Sequence, residues 1–389
     1  MTQTRDFKRL PDDVMGARLA LPTGKPVRLL IDTDTANEID DQFALAWALL
    51  SPEHMTVEAI TAEPFSFAHH RAGLLAAEKA IESGEAYAEH LVGGFQGWIG
   101  RLHAKGRRAA DLSFTMPDEG MELSYREIIT IYEKLGMPHA GRVFRGAPRY
   151  MTHATDIVGS DAVETIIRLA RTGDSPLYIA AMGCVTNIAA ALLKAPDIVD
   201  KIVVIWTSAY PSSAPHCNRP SLNLVQDVHA SRLIFDSGVP HIYLPGFQVG
   251  AQLKVSHAEM RDFVKGRGAI GDYLYHLFTN NPLHEMFAIS DTDRRTWVIW
   301  DIINIAWLID PCWVASYITT SPVLTEDLYW QKSADRHAMR EAHDVQRDEI
   351  FLDLWDKLDG LACCRFRGHE DKIVTKELES EYDETEVQP

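Results

Sequence analysis

The chain has 389 residues, 46% of them apolar and 24% charged, which excludes a disordered or collagen-like polymer and allows a sizeable core without covalent staples. Its 38 basic and 55 acidic side chains give a formal charge of −17, which argues against nucleic acid or an anionic membrane as main partner, because phosphates are repelled. Five cysteines, an odd number with no CxxC pair, argue against a disulfide framework or a zinc knuckle. The N-terminus is polar, without the apolar stretch of a signal peptide, and no run of ~18 apolar residues is long enough to span a membrane. A soluble, cytoplasmic protein is expected.

Residues 1–26 read as a loose leader punctuated by Pro11, Pro22 and Gly24. Val27 to Ile31 is a short apolar run ending at Asp32, a candidate buried strand. Residues 41–50 have helix-forming composition, and Val57 to Thr61 is a second strand candidate. Residues 68–150 fit this alternation less well and read as a mostly helical insertion, with helices at Ala72–Ile81 and Tyr125–Leu135. The alternation resumes with strands at Leu177–Ala181, Ile202–Trp206 and His241–Leu244, separated by helices at Ile188–Lys194 and 226–237. Strands that are apolar throughout and alternate with helices predict an α/β fold: one domain, 27–360, with a central, mainly parallel sheet and helices on both faces. Residues 370–389 carry eight acidic and two basic side chains. The segment 361–389 therefore reads as an acidic, disordered tail.

The segment Asp32-Thr33-Asp34-Thr35-Ala36-Asn37-Glu38-Ile39-Asp40-Asp41 places five carboxylates within ten residues, directly after a strand and before a helix. In open parallel sheets, ligands bind beyond the carboxyl ends of the strands. Asp32 and Asp34 share a side if strand geometry continues. Asp40 and Asp41 fall in a first helical turn, where negative charge suits the dipole. Concentrated negative charge calls for a cation, and hard oxygen donors favour Ca²⁺ or Mg²⁺ over zinc. A solvated acidic loop is the plainer alternative, but a strand end is an unusual place for one.

Leu29-Leu30-Ile31-Asp32-Thr33-Asp34-Thr35 resembles the nucleophile motif of haloacid-dehalogenase-like phosphohydrolases. The same strand, followed by DxD, a short loop and a vicinal Asp-Asp, resembles the opening of the nucleoside hydrolases. Four later segments resemble that second family, in its order: Ala181-Met182-Gly183-Cys184-Val185-Thr186-Asn187-Ile188-Ala189, Val203-Val204-Ile205-Trp206, Leu222-Asn223-Leu224-Val225-Gln226-Asp227, and Trp300-Asp301 before an apolar helix.

This resemblance implies calcium-dependent hydrolysis of the N-glycosidic bond of a ribonucleoside or a related ribosyl compound, at the carboxyl ends of the strands, in a homo-oligomer (dimer or tetramer). Asp34, Asp41, Asp301 and the Met182 carbonyl would hold Ca²⁺, with Asp34 also the general base. Asp40 and Asn223 would hold ribose hydroxyls, and Asp32 would orient the loop from behind. Trp300 stands where purine-preferring members stack a tryptophan, so purines are expected to be mildly favoured. Trp206, Asn218 and Glu63 are further candidates for substrate contact, each with an ordinary packing, turn or surface role as alternative.

Two departures stand out. The loop between Asp34 and Asp40 is two residues longer than usual and lacks Pro-Gly. Ser221 replaces the glutamate that helps hold the 5′-hydroxyl. The phosphohydrolase reading, and a ribosyl-ligand-binding protein of the same fold without turnover, remain the alternatives.

Overall fold

The apolar run after residue 26 forms β1 (Val27–Thr33), buried from Leu29 onward, in a computed structural model that describes residues 7–22, 26–84 and 94–360. Leu29, Leu30 and Ile31 are fully buried, and each such side chain stabilises the fold by about 2 kcal/mol. The other strands of the main sheet are β2 (Met55–Ala62), β3 (Val143–Phe144), β4 (Leu177–Ala181), β5 (Ile202–Ser208), β6 (His241–Pro245), β7 (Val314–Thr320) and β8 (Ala338–Val345), in the order β3-β2-β1-β4-β5-β6-β8-β7. Neighbours pair parallel except for β7, which runs antiparallel to β8. The expected α/β fold with a mainly parallel sheet is what the chain adopts. Seven of the residues of β5 and all five of β6 are buried, because helices cover both faces.

The register positions the site. Asp32 pairs with Thr61 and with Ala181, Ala181 with Trp206, and Ser208 with Pro245. The carboxyl ends of β1, β2, β4, β5 and β6 therefore finish along one edge. Strand order reverses between β1 and β4, and a crevice opens at such a switch point.

The helices follow from the pattern. We number α1 (Asp12–Arg18), α2 (Asp40–Leu49), α3 (His70–Ser83), α4 (Gln96–Ala104), α5 (Pro117–Leu135), α6 (Asp161–Arg171), α7 (Thr186–Lys194), α8 (Val228–Asp236) and α9 (Ile302–Ile309). In α2 everything from Asp40 to Ala48 is buried, as is every residue of α9, and the two pack together. A helix without a solvent face shows no amphipathic period. The final helix, 347–360, docks on α2, where Trp47 Nε1 donates to Asp353 Oδ1 at 2.7 Å.

Two parts of the chain differ from expectation. The leader is not loose over residues 7–22. It carries α1, and Leu10, Met15 and Leu19 are buried in the main core. The region 68–150 divides: α5 packs on α2 and β2, and β3 extends the sheet, so its second half belongs to the main layers. Its first half, α3 and α4, forms a separate small core with Leu74, Ala77, Trp98, Ile99 and Leu102. Trp98 Nε1 ties this cap to the Met286 carbonyl at 2.9 Å. The acidic segment 361–389 lies outside the described residues. No helix among the described residues is long and apolar enough to cross a membrane.

Candidate active site

Beyond the ends of β1, β4 and β5 lies a cleft of about 170 Å³. Asp34, Asp40, Asp41, Met182, Asn223, Trp300 and Asp301 all line it. Four separate stretches of sequence thus meet in one place. Asp40 and Asp41 stand in the first turn of α2, and Asp301 caps α9. Two helix N-termini therefore face the carboxylates, and their partial positive charge favours that placement.

Asp40, Asp41 and Asp301 present carboxylate oxygens within 4.8 Å of one another, and all three are buried. Thr33 Oγ1 donates to Asp41 Oδ1 and bonds Thr35 Oγ1 at 3.0 Å. Asp301 Oδ1 is buried without a partner among the described residues. Burial, followed by repulsion from Asp34 and Asp40, pushes the Asp41 carboxyl well above the ordinary range. Burial, then Asp40 and Asp41, does the same to Asp301. Burial also raises Asp40, to about 6, against a hydrogen bond with Asp301. Three buried carboxylates at this spacing with an orphaned oxygen form an all-oxygen donor set, which fits a hard divalent cation.

Asp34 faces this trio. Burial first, then Asp40, raises its carboxyl to about 8. Asn37 Nδ2 donates to Asp34 Oδ2 at 3.1 Å, and the Asn37 amide to the Asp34 carbonyl at 2.8 Å. The other side of Asp34 rests on Gly183. A Cβ there would meet Glu63 Oε2 and lie 2.7 Å from Asp34 Cγ. Only glycine lets the β4 turn approach both carboxyls.

The cleft floor comes from the turn after β4. The Met182 amide donates to the Asp32 carbonyl at 2.9 Å. Asn223 Nδ2 donates to the Met182 carbonyl at 2.7 Å and to the Thr207 carbonyl at 3.0 Å. Asn187 Nδ2 holds Asp32 Oδ1 at 2.9 Å, and Thr186 Oγ1 reaches Asp227 Oδ2 at 2.7 Å. These two bonds give Thr186, Asn187 and Asp227 a structural role behind the cleft. Asp32 itself sits behind the cleft, accepting from Thr61 Oγ1 at 2.5 Å.

Three expected substrate contacts are not brought to the cleft. Trp206 is fully buried, packs on Phe235 and His241, and donates Nε1 to the Gly183 carbonyl at 3.0 Å. Strand side chains alternate in direction, so its neighbour Thr207 lines the cleft instead. Asn218 is also fully buried; its Nδ2 donates to the Leu328 carbonyl at 3.0 Å and its Oδ1 accepts the Tyr210 amide at 3.0 Å. Glu63 lies beneath the Gly183 turn beside Asp32, with both oxygens buried and unpartnered among the described residues. Burial, then the Asp32 charge, raises its carboxyl well above the usual range.

The cleft also has walls that sequence reasoning missed: Asn37, Glu38, Thr207, Ser208 and Phe247. Trp300 meets Phe247 edge-on, with ring centroids 6.0 Å apart at 86°. Ser221, at the departure already noted, bonds Ser208 Oγ at 3.1 Å and the Ala209 amide at 2.9 Å. It leaves a short neutral corner where a longer acidic side chain was expected.

Residues 29–357 match the inosine-uridine preferring nucleoside hydrolase family. The chain belongs to this family. Its members are N-ribosyl hydrolases and depend on a metal, for which the acidic trio is the matching feature. Among solved structures, the chain resembles a purine-preferring ribonucleoside hydrolase from Gardnerella vaginalis, with a TM-score of 0.58 and 19% identity over 86% of this chain and 99% of that one. It also resembles an inosine-uridine preferring nucleoside hydrolase from Bacillus anthracis, with a TM-score of 0.51 and 13% identity over 87% and 99%. At these identities the likeness concerns the fold. An uncharacterised Schizosaccharomyces pombe protein, C1683.06c, is 31% identical over 87 residues, 22% of this chain, and the match spans 28% of that protein's length. The phosphohydrolase alternative is thereby set aside.

Proposed function

We propose that the chain hydrolyses the N-glycosidic bond of ribonucleosides with the help of Ca²⁺, favouring purines mildly. The observation that carries this reading is the meeting of Asp34, Asp40, Asp41 and Asp301 with Asn223 and Trp300 in one cleft. Asp41 and Asp301 of the trio supply carboxylate ligands, Asp34 and the Met182 carbonyl, which line the same cleft, complete the set, and Asp40 is left to the ribose. Calcium, when bound, supplies the charge that acidifies a water and fixes ribose hydroxyls.

The residues of the chain do the rest. Asp40 and Asn223 bind ribose hydroxyls and orient the sugar. Asp34 accepts the proton of the attacking water at its carboxylate. The surrounding negative charge stabilises the cationic sugar as the bond to the base stretches. Trp300 offers its ring to the base. The cytoplasm and a homo-oligomeric state complete the proposal.

The test is release of free base and ribose from a panel of nucleosides, with calcium and after chelation. Calcium-dependent ribose release supports the reading. Phosphate release from nucleotides or sugar phosphates with no ribose from any nucleoside overturns it, and tight nucleoside binding without turnover favours the non-catalytic alternative.

A further inference from the structure

Glu38, in the loop between Asp34 and Asp40, lines the cleft. Trp297 Nε1 donates to Glu38 Oε1 at 2.6 Å. An indole N–H is a donor only, so this bond fixes one carboxylate oxygen and sets the plane of the group. No described residue bonds the other oxygen. Trp297 lies on the short strand Thr296–Val298, which leads directly into Trp300. The Trp297 ring is itself held edge-on by His284, with centroids 4.9 Å apart at 81°. Trp297 thus links Glu38 to the segment that carries Trp300, and Glu38 and Trp300 both line the cleft.

We infer that Glu38 determines specificity by accepting a hydrogen bond from an amino group on the leaving base. This rests on the nucleoside-hydrolase reading above. The ribose hydroxyls have Asp40 and Asn223. The acceptor that remains, joined through Trp297 to the segment that carries Trp300, meets the base. An exocyclic amino group there donates to the carboxylate. A carbonyl oxygen in the same place sets acceptor against acceptor and leaves the free Glu38 oxygen unpaired. Sites built around one buried polar contact reject the analogue that cannot make it. Adenosine should therefore be cleaved in preference to inosine, and cytidine to uridine, whatever the separate preference for ring size.

The experiment measures kcat/KM for these two pairs with the full chain and calcium. The amino member should lead each pair by about fivefold, the usual net weight of one hydrogen bond. Glu38→Gln should shrink both ratios towards one, because an amide turns to donate as readily as it accepts. Trp297→Phe keeps the ring but removes the N–H, and should shrink the ratios less. Equal kcat/KM within both pairs for the unmodified protein overturns the inference, as do ratios unchanged by Glu38→Gln. Absence of ribose release from every nucleoside is a different failure, since it overturns the hydrolase reading and takes this inference with it.

Discussion

Gly183 is where the cleft itself leaves no room for a side chain. Gly183→Ala adds one Cβ that would meet Glu63 Oε2 and lie 2.7 Å from Asp34 Cγ and 2.9 Å from Asp34 Oδ1. Ordinary carbon contacts are about 3.5–4.0 Å, so something must move by roughly 1 Å. Glu63 has little room, being fully buried beside Asp32. The Gly183 backbone is tied by the Trp206 indole through its carbonyl. Asp34, at the cleft surface, is the part that yields. Overpacking of this kind costs about 1–3 kcal/mol of stability, and a misplacement of about 1 Å at a reacting group costs on the order of a hundredfold in rate. Gly183→Ala should therefore fold, melt lower, and lose about a hundredfold in kcat with ribose release as the assay. Activity and melting temperature both equal to the unmodified protein would refute the placement of Asp34 against the β4 turn.

Asp34→Asn should abolish hydrolysis, whereas Asp32→Asn, behind the cleft, should retain measurable ribose release. In chelator, stability should fall as pH rises: carboxyls raised in the folded state bind more protons than in the unfolded chain, so their stabilisation is full below the ordinary value of 3.8 and fades through about 6 for Asp40 and about 8 for Asp34. Urea midpoints measured from pH 4 to 8 with EDTA test this, and added calcium should restore the loss at high pH; midpoints rising with pH in EDTA would contradict it. Asp301→Asn should make the chelated protein more stable near pH 8 but remove its stabilisation by calcium, read by the same titration. Trp300→Ala should erase a purine preference worth about tenfold at most, and uridine turnover equal to that of inosine in the unmodified protein would dispose of the stacking role.

The parts of the fold legible in the sequence are those where one physical signal dominates. A strand buried on both faces must be apolar throughout, so β1, β4, β5 and β6 stand out as runs. Carboxylates immediately after such a run mark a strand end with unusual charge. By contrast, β7 has a burial pattern of one buried residue followed by intermediate and exposed ones, so its edge position leaves no apolar run to read. The short helix α1 has two acidic residues in its first turn and a single buried side chain. What holds it, packing against the core, is invisible locally. The sequence leaves Trp206 between cleft and core for a related reason. A strand end gives the address to within a residue, but which face a side chain takes depends on register, and a shift of one moves it from the cleft to the core.

Glu38 shows the same limit from the other side. In the sequence it is one acidic residue among five near a metal loop, and nothing local separates a cleft carboxylate from a solvated one. Its meaning comes from a partner 259 positions away, the Trp297 indole that holds it at 2.6 Å. The trio of Asp40, Asp41 and Asp301 is similar: two members are adjacent in sequence and the third arrives on a different helix. The chemistry of this cleft thus depends on long-range packing to keep like charges close. The carboxylates stay together because two helix N-termini, a glycine turn and hydrogen-bonded threonine and asparagine side chains hold them there, and the resulting repulsion is what a bound cation would relieve under the proposed function.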